Sequence, residues 1–174
     1  MAHRDFMARA LELAQIAAYM HDIGNVVNRI DHAQSGAVMA FRLLDKMGMS
    51  AHDISRVVTA IGNHDEKTAY PVNEIAAALI IADKSDVRRS RVRPEEKATI
   101  STDIHDRVNY AVEKSKLDVD AENKLFTLCL TIDEDISLIS EYFEIFLDRM
   151  MLCRRAAAYF DAKFEVNING TRVM

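Results

Sequence analysis

Hydrophobic positions in the first two thirds of the chain recur at the 3.6-residue period that is typical of α-helices. The pattern predicts helices from about residue 4 to His21, from Asp31 to Gly48, from Ser50 to about residue 63, from Ile75 to Val87, and from Ile104 to Val112. A further short segment can open at Pro94. This part of the chain is therefore predicted to be a helical bundle.

Two of the predicted helices begin with capping signals. Asp31, with Gln34 three positions later, resembles a capping box, and Ser50 can cap the helix that follows it. Gly36 would let another backbone or a ligand approach the second helix, or would allow tight helix packing. The large apolar residues of that helix are Val38, Phe41, Leu44 and Met47.

After about residue 115 the apolar period changes to two, which is typical of strands. Residues 117–121 and 126–132 alternate in this way, and residues 122–124 can turn the chain into a hairpin. A long helix with Ile139, Phe146 and Met150 on one face follows, and residues 164–168 alternate again. The fold class is therefore predicted as mainly α, with a helical domain over residues 1–114. A small α+β tail over residues 115–174 would hold an antiparallel sheet and one long helix.

Composition narrows the class of protein further. The chain has 174 residues, of which 49% are hydrophobic and 28% charged, as expected for one compact domain with a small appendix. It has neither an apolar run of membrane-spanning length nor an N-terminal secretory signal, and two cysteines are too few for a disulfide framework. These features favour a cytoplasmic protein without a membrane partner. The net charge of −5 argues against a nucleic-acid partner.

Polar residues occupy positions at which the helical pattern calls for hydrophobic ones. His21, His64 and Asp83 each share a helix face with aliphatic side chains. Because a buried carboxylate without a partner is costly, a positive charge is expected beside Asp83. Two imidazoles and a carboxylate suit a divalent metal ion, and Asp22 adds another ligand. The alternative is that these are ordinary core residues, with the acid satisfied by Arg29, Lys84 or backbone amides.

Four blocks in a fixed order resemble the HD superfamily of metal-dependent phosphohydrolases. They are His-Asp-Ile-Gly at 21–24, residues 31–37, residues 62–66 and Ala-Asp-Lys at 82–84, and the resemblance covers about residues 6–112. It implies that one metal ion is held by His21, Asp22 and Asp83. It implies that a second ion is held by His32 and His64, with a bridging role for Asp22 left open.

The resemblance also implies a reaction. The expected protein cleaves a phosphate ester of a small molecule, a nucleotide being one candidate, by means of a metal-activated water. Asp22 and Asp83 are the candidate catalytic residues, and the cofactor would be one or two ions of manganese, iron, cobalt or zinc. The alternative is a regulatory HD module that binds metal or nucleotide without turnover.

Two positions depart from the family pattern. The family places its first histidine on a helix before the His-Asp pair, but His3 precedes His21 by 18 positions, which is about 27 Å along one continuous helix. We therefore expect that the chain lacks the upstream helix and that its first metal site is one protein ligand short. Asn25 stands where many relatives carry a phosphate-binding lysine. The remaining candidates for substrate binding are Arg29, Lys84 and Arg88.

The other features of the sequence leave alternatives open. Residues 83–93 carry a local net charge of +3, which could clamp a polyphosphate or could be a solvated helix end or an interface. The open edges of a small sheet invite pairing with another copy. A homodimer, or a tail that covers the helical site, would each account for the appendix.

Overall fold

The computed structural model describes residues 2–92 and 103–174, with side chains from residue 7 onward. The segment predicted to open at Pro94, Arg93 of the basic run and the side chain of His3 lie outside the described residues. The chain divides into two compact units, residues 1–83 and residues 84–174. The predicted domain boundary after residue 114 stays a prediction.

The first unit is a bundle of α-helices. Its elements are α1 (Ala2–Met20), a short 3₁₀ helix (Ile23–Val26), α2 (His32–Lys46), α3 (Ala51–Gly62) and α4 (Glu74–Lys84), whose last residue begins the second unit. The helices predicted from periodicity are present, although α4 ends three residues before Val87. Their shared core is aliphatic and consists of Leu13, Ala17, Ala37, Ala40, Leu44, Ile54, Val57, Ala60, Ile61, Ile75, Ala76 and Leu79.

The buried face of α2 is lined mostly by small residues. It consists of His32, Ala33, Gly36, Ala37, Ala40 and Leu44. Of the large apolar residues that mark this helix in the sequence, Leu44 is buried whereas Val38, Phe41 and Met47 are exposed. The small side chains allow α2 to approach α3 and the 3₁₀ helix closely, and the bulky side chains are left facing solvent.

The two helix starts behave differently. Ser50 caps α3 as predicted, since its hydroxyl accepts a hydrogen bond from the Asp53 amide at 3.2 Å. The capping box predicted at Asp31 is wrong: the Asp31 side chain makes no capping hydrogen bond, and its backbone is left-handed (φ 57°, ψ 28°). A residue that caps a helix with its side chain typically has an extended backbone. The tight turn into α2 instead uses the ability of Asp to adopt the left-handed region.

The second unit contains a sheet covered by one long helix. Its elements are a 3₁₀ turn (Arg89–Arg91), α5 (Ile104–Ala111), β1 (Val112–Asp120), β2 (Leu125–Ile132), α6 (Ile139–Tyr159), β3 (Lys163–Ile168) and β4 (Thr171–Arg172). The strands lie in the order β1-β2-β3-β4, and β1 and β2 form the predicted hairpin. The prediction of a mainly α protein with a small α+β tail is confirmed.

The sheet is mixed, which corrects the expectation of an antiparallel one. β2 and β3 are parallel, because α6 runs between them and returns the chain to the end at which β2 began. Asn169 and Gly170 both have positive φ (51° and 84°), as the two central residues of a type I′ turn require. This turn adds the short strand β4, which is too short to show an alternating pattern in the sequence.

Apolar side chains of α6 cover one face of this sheet. Tyr142, Phe146 and Met150 are buried on the helix, and Leu128 and Val166 are buried on the strands. Within residues 2–92 and 103–174, no helix combines the length and the apolar character needed to cross a bilayer.

Gly24 sets the distance between the 3₁₀ helix and α2. A Cβ atom at this position would lie 2.0 Å from the carbonyl oxygen of His32 and 2.6 Å from the amide nitrogen of Gly36. A Cβ atom on Gly36 would in turn lie 3.2 Å from the amide nitrogen of Gly24. The absence of a side chain at Gly36 therefore lets the backbone of Gly24 approach α2, which is one of the possibilities that the sequence left open.

We expect Gly24→Ala to lower the free energy of unfolding by about 1–3 kcal/mol or more, because the added methyl group meets backbone atoms that cannot move aside easily. Gly62→Ala is the matched control, since its Cβ would only touch the Ala37 side chain at 3.6 Å. The control should leave stability unchanged or raise it by up to about 1 kcal/mol. Urea titration of both variants measures the difference, and equal stabilities would contradict the packing argument.

Candidate metal centre

The five predicted ligands all lie at or near the ends of helices in the first unit. His21 and Asp22 directly follow α1, and His32 is the first residue of α2. His64 comes two residues after the end of α3, and Asp83 lies in the last turn of α4. Helix packing thus brings together side chains that are up to 62 positions apart in the sequence.

Asp22 lies at the middle of this cluster. Its Oδ2 atom is 3.5 Å from Nε2 of His21, and its Oδ1 atom is 3.2 Å from Nε2 of His32 and 3.8 Å from Nε2 of His64. On the other side of His21, Nε2 is 3.7 Å from Oδ1 of Asp83. The two oxygens of Asp22 therefore face two different groups of side chains.

Backbone carbonyls fix the orientation of each imidazole. In all three histidines, Nδ1 contacts the carbonyl oxygen of the residue three positions earlier. The pairs are His21 with Ala18 (2.8 Å), His32 with Arg29 (3.0 Å) and His64 with Ile61 (2.6 Å). Because a carbonyl oxygen can only accept, Nδ1 carries the proton and donates it, so each neutral ring presents the Nε2 lone pair to the cluster.

The arrangement requires a positive charge. Nε2 of His32 and Nε2 of His64 are 3.2 Å apart, and both side chains are almost fully buried. Two lone pairs at this distance repel each other unless a proton or a metal ion is shared between them. In their protonated forms, the His64 ring first and then the His21 and His32 rings lower the pKa of Asp22 far below its usual range, although partial burial opposes the shift.

The donor set fits a divalent transition metal. One ligand atom from each of His21, Asp22 and His64 lies within 4.8 Å of the other two. Imidazole nitrogens combined with carboxylate oxygens suit manganese, iron, cobalt or zinc better than calcium. The hydrogen bonds from Nδ1 to backbone carbonyls are the outer contacts that metal-binding histidines generally make.

A family model that describes the HD domain matches residues 3–114, which is more than half of the chain. The chain belongs to the HD-domain family. HD domains bind divalent metal ions and form a superfamily of metal-dependent phosphohydrolases, so the family resemblance seen in the sequence is confirmed. No curated protein and no solved structure matches the chain.

The predicted substrate-binding residues of this HD domain have different surroundings. Arg29 is largely exposed, and its Nη1 atom lies 4.0 Å from Oδ1 of Asp22, at the rim of the cluster. Lys84 is buried at the end of α4. Arg88 is exposed and its Nε atom lies 2.9 Å from Oδ1 of Asp86. The binding of substrate by these three residues stays a prediction.

The other arginines of the basic run make contacts inside the second unit. Arg91 lies 3.3 Å from the Asp86 carboxylate that Arg88 also contacts. Arg89 donates to the carbonyl oxygen of Tyr110 at 2.6 Å and stacks over its ring. These contacts favour a structural role for Arg89 and Arg91 over a polyphosphate clamp.

Sequence reasoning missed the groups that hold the ligands in place. The carbonyls of Ala18 and Ile61 belong to the last turns of α1 and α3, where carbonyl groups have no partner within the helix. The signal that could have found them is the position of His21 and His64 just beyond a predicted helix end. Gly24, which allows the 3₁₀ helix to reach α2, was also missed as a residue that shapes the site.

We expect manganese(II) to raise the free energy of unfolding, by about 2.7 kcal/mol at a concentration 100-fold above its dissociation constant. Asp22→Asn should abolish most of this increase, because it removes the charge that faces both groups of ligands. Asp45→Asn, which changes an exposed aspartate near the end of α2, is the control and should retain the increase. Thermal unfolding with and without the ion provides the measurement, and a full increase in Asp22→Asn would contradict the assignment.

Proposed function

We propose that this HD domain is a metal-dependent phosphohydrolase that cleaves a phosphate ester of a small molecule. The observation that carries the proposal is the convergence of three imidazole Nε2 atoms on the Asp22 carboxylate, with Asp83 beside His21. An ordinary buried core would not concentrate so many lone pairs and negative charges without a cation.

The geometry supports two adjoining sets of ligands. His21, Asp83 and Oδ2 of Asp22 would hold one ion, and His32, His64 and Oδ1 of Asp22 would hold a second. Asp22 would then bridge the two ions. An aspartate carboxylate is ionised at neutral pH, as a bridging ligand must be, and the neighbouring imidazoles hold the pKa of Asp22 still lower.

When bound, divalent ions neutralise phosphate oxygens and lower the pKa of a water molecule that can attack phosphorus. The chain itself supplies fixed geometry: the carbonyls of Ala18, Arg29 and Ile61 hold the imidazoles in place before substrate arrives. The Asp22 carboxylate is about half exposed, with its side chain 48% accessible, so a phosphate can reach this side of the cluster. The nearby guanidinium of Arg29 would bind one of its oxygens.

A nucleotide is the substrate class that we propose within the phosphate esters. Val27 lies two residues before Arg29 and Ile30 lies directly after it, and both apolar side chains are exposed. They offer apolar surface next to the proposed phosphate-binding arginine, where a base or sugar could pack. A panel of nucleoside monophosphates, sugar phosphates and an aryl phosphate tests this preference.

We expect phosphatase activity to appear with added manganese, iron, cobalt or zinc and to fall by more than about 100-fold in Asp83→Asn. Loss of a direct ligand should exceed the 10–100-fold effects seen for outer contacts. Asp45→Asn is again the control, because its carboxylate is exposed and the change of residue type is the same. Steady-state rates on the substrate panel decide the matter, and unchanged turnover in Asp83→Asn would contradict the proposal.

The second candidate function is a regulatory HD module without turnover, which the Asn25 position favours because it lacks the family's lysine. Tight metal or nucleotide binding, with no hydrolysis of any member of the panel, would support this alternative. Hydrolysis that depends on Asp83 would exclude it.

The number of bound ions is predicted to depend on His32. We expect His32→Ala to lower the ratio of metal to protein by about one ion per chain, since its Nε2 atom contacts only Oδ1 of Asp22 and Nε2 of His64 within the cluster. His52→Ala, which removes an exposed imidazole on α3, should leave the ratio unchanged. Elemental analysis of the purified variants gives the ratio, and an equal ratio in both would contradict a second site.

A further inference from the structure

The outer edge of β1 has features of a pairing surface. β1 is nine residues long and lies at one end of the sheet, where its backbone pairs with β2 on one side. In the described parts of the chain, the backbone groups of β1 pair with no strand other than β2. Side chains at the start of β1 contact residues 85–89. The Ser115 hydroxyl donates to the carbonyl of Ser85, and the Glu113 carboxylate lies near the Arg89 guanidinium.

The charged residues of β1 share one face of the sheet. Because side chains alternate along a strand, Lys114, Lys116, Asp118 and Asp120 point to the same side. The register with β2 agrees, since Lys116 lies opposite Cys129 and Asp118 opposite Thr127. Lys116 and Asp118 already interact, with Nζ 2.5 Å from Oδ1. The other face of β1 presents Ser115, Leu117 and Val119.

This order of charges is complementary to itself. When a second copy of β1 runs antiparallel with the two Leu117 residues opposite each other, Lys116 lies opposite the partner's Asp118. Lys114 then lies opposite the partner's Asp120, and Val119 opposite the partner's Ser115. Each lysine of one copy therefore meets an aspartate of the other, and opposite charges directly across two strands stabilise the pair.

The same pattern disfavours the other registers. A shift of two residues keeps two of the four lysine–aspartate pairs, but it places Lys116 opposite Lys116, or Asp118 opposite Asp118, of the other copy. Like charges in this position repel, so the shifted registers are less favourable than the centred one. A shift of one residue moves every side chain to the wrong face. Parallel pairing in register places each charge opposite itself. The antiparallel register centred on Leu117 is therefore the one in which every lysine and every aspartate of this face meets an opposite charge.

Lysines on an edge strand often serve to prevent pairing. Two lysines alone would protect this edge against a second copy, but the two aspartates at the mirror-related positions reverse that effect. We propose that two copies of the chain associate through β1 in the antiparallel register centred on Leu117, forming one continuous eight-stranded sheet. This inference goes beyond the proposed hydrolase function and is independent of the metal centre.

Charge reversal tests the register. In Lys114→Glu/Lys116→Glu and in Asp118→Lys/Asp120→Lys, every charge at the interface would face a like charge, so each variant alone is expected to be monomeric. Mixed together, the two variants become complementary at every position and should form a heterodimer of twice the monomer mass. Light scattering after size exclusion measures the mass of the full-length wild type, each variant and the mixture.

Cross-linking provides a second measurement. In the proposed register the two Cβ atoms at position 117 lie about 4.5–5.5 Å apart. The Cβ atoms of a disulfide are about 3.5–4.5 Å apart, so a small movement of the two strands allows an intermolecular disulfide. Leu117→Cys, in a Cys129→Ser background, should therefore cross-link on oxidation. Val119→Cys in the same background is the control and should not, because residue 119 faces the partner's Ser115.

Several outcomes would overturn the proposal. They are a monomeric wild type, a dimer that persists in both charge-reversed variants, a mixture that remains monomeric although both variants are folded, and equal cross-linking at positions 117 and 119. Circular dichroism of each variant establishes that it is folded.

Discussion

The first unit depends on one electrostatic constraint. The Nε2 lone pairs of His32 and His64 face each other across 3.2 Å, and both lie close to the ionised Asp22. The rings are held in place because their Nδ1 atoms donate to the carbonyl of Arg29, in the turn before α2, and to the carbonyl of Ile61, in the last turn of α3. A proton or a metal ion within the cluster satisfies these groups together, and a metal ion there would link the packing of the helices to the proposed chemistry.

The bundle meets this constraint through close approach of backbones. Gly24 and Gly36 let the 3₁₀ helix lie against the first turns of α2, and this contact brings Asp22 next to His32. The small buried residues of α2 have a similar effect on its contact with α3, which positions His64. Side-chain size at these positions thus determines the geometry of ligands that come from other elements.

The sequence predicts much of the fold and the candidate ligands, for identifiable reasons. Helix spans follow from periodicity, and the polar residues His21, His64 and Asp83 stand out because they interrupt apolar faces. The buried face of α2 is not predictable from the large residues, since Val38 and Phe41 are exposed while alanines form the contact. Alternation identifies β3 but not its direction, because an alternating pattern is the same in parallel and antiparallel strands.

Two carboxylates, Asp22 in the first unit and Asp118 in the second, differ in the groups that surround them. Asp22 lies beside the buried imidazoles of His32 and His64, a set of donors that suits the proposed metal ion. Asp118 lies on a strand edge, where a lysine two positions away and the symmetry of an antiparallel pair can supply the opposite charge. The amino-acid composition does not distinguish these two carboxylates. Their side chains are about equally exposed, at 48% and 49%. The neighbours of each carboxylate, imidazoles for Asp22 and an edge-strand lysine for Asp118, therefore distinguish the proposed ligand from the proposed contact between copies.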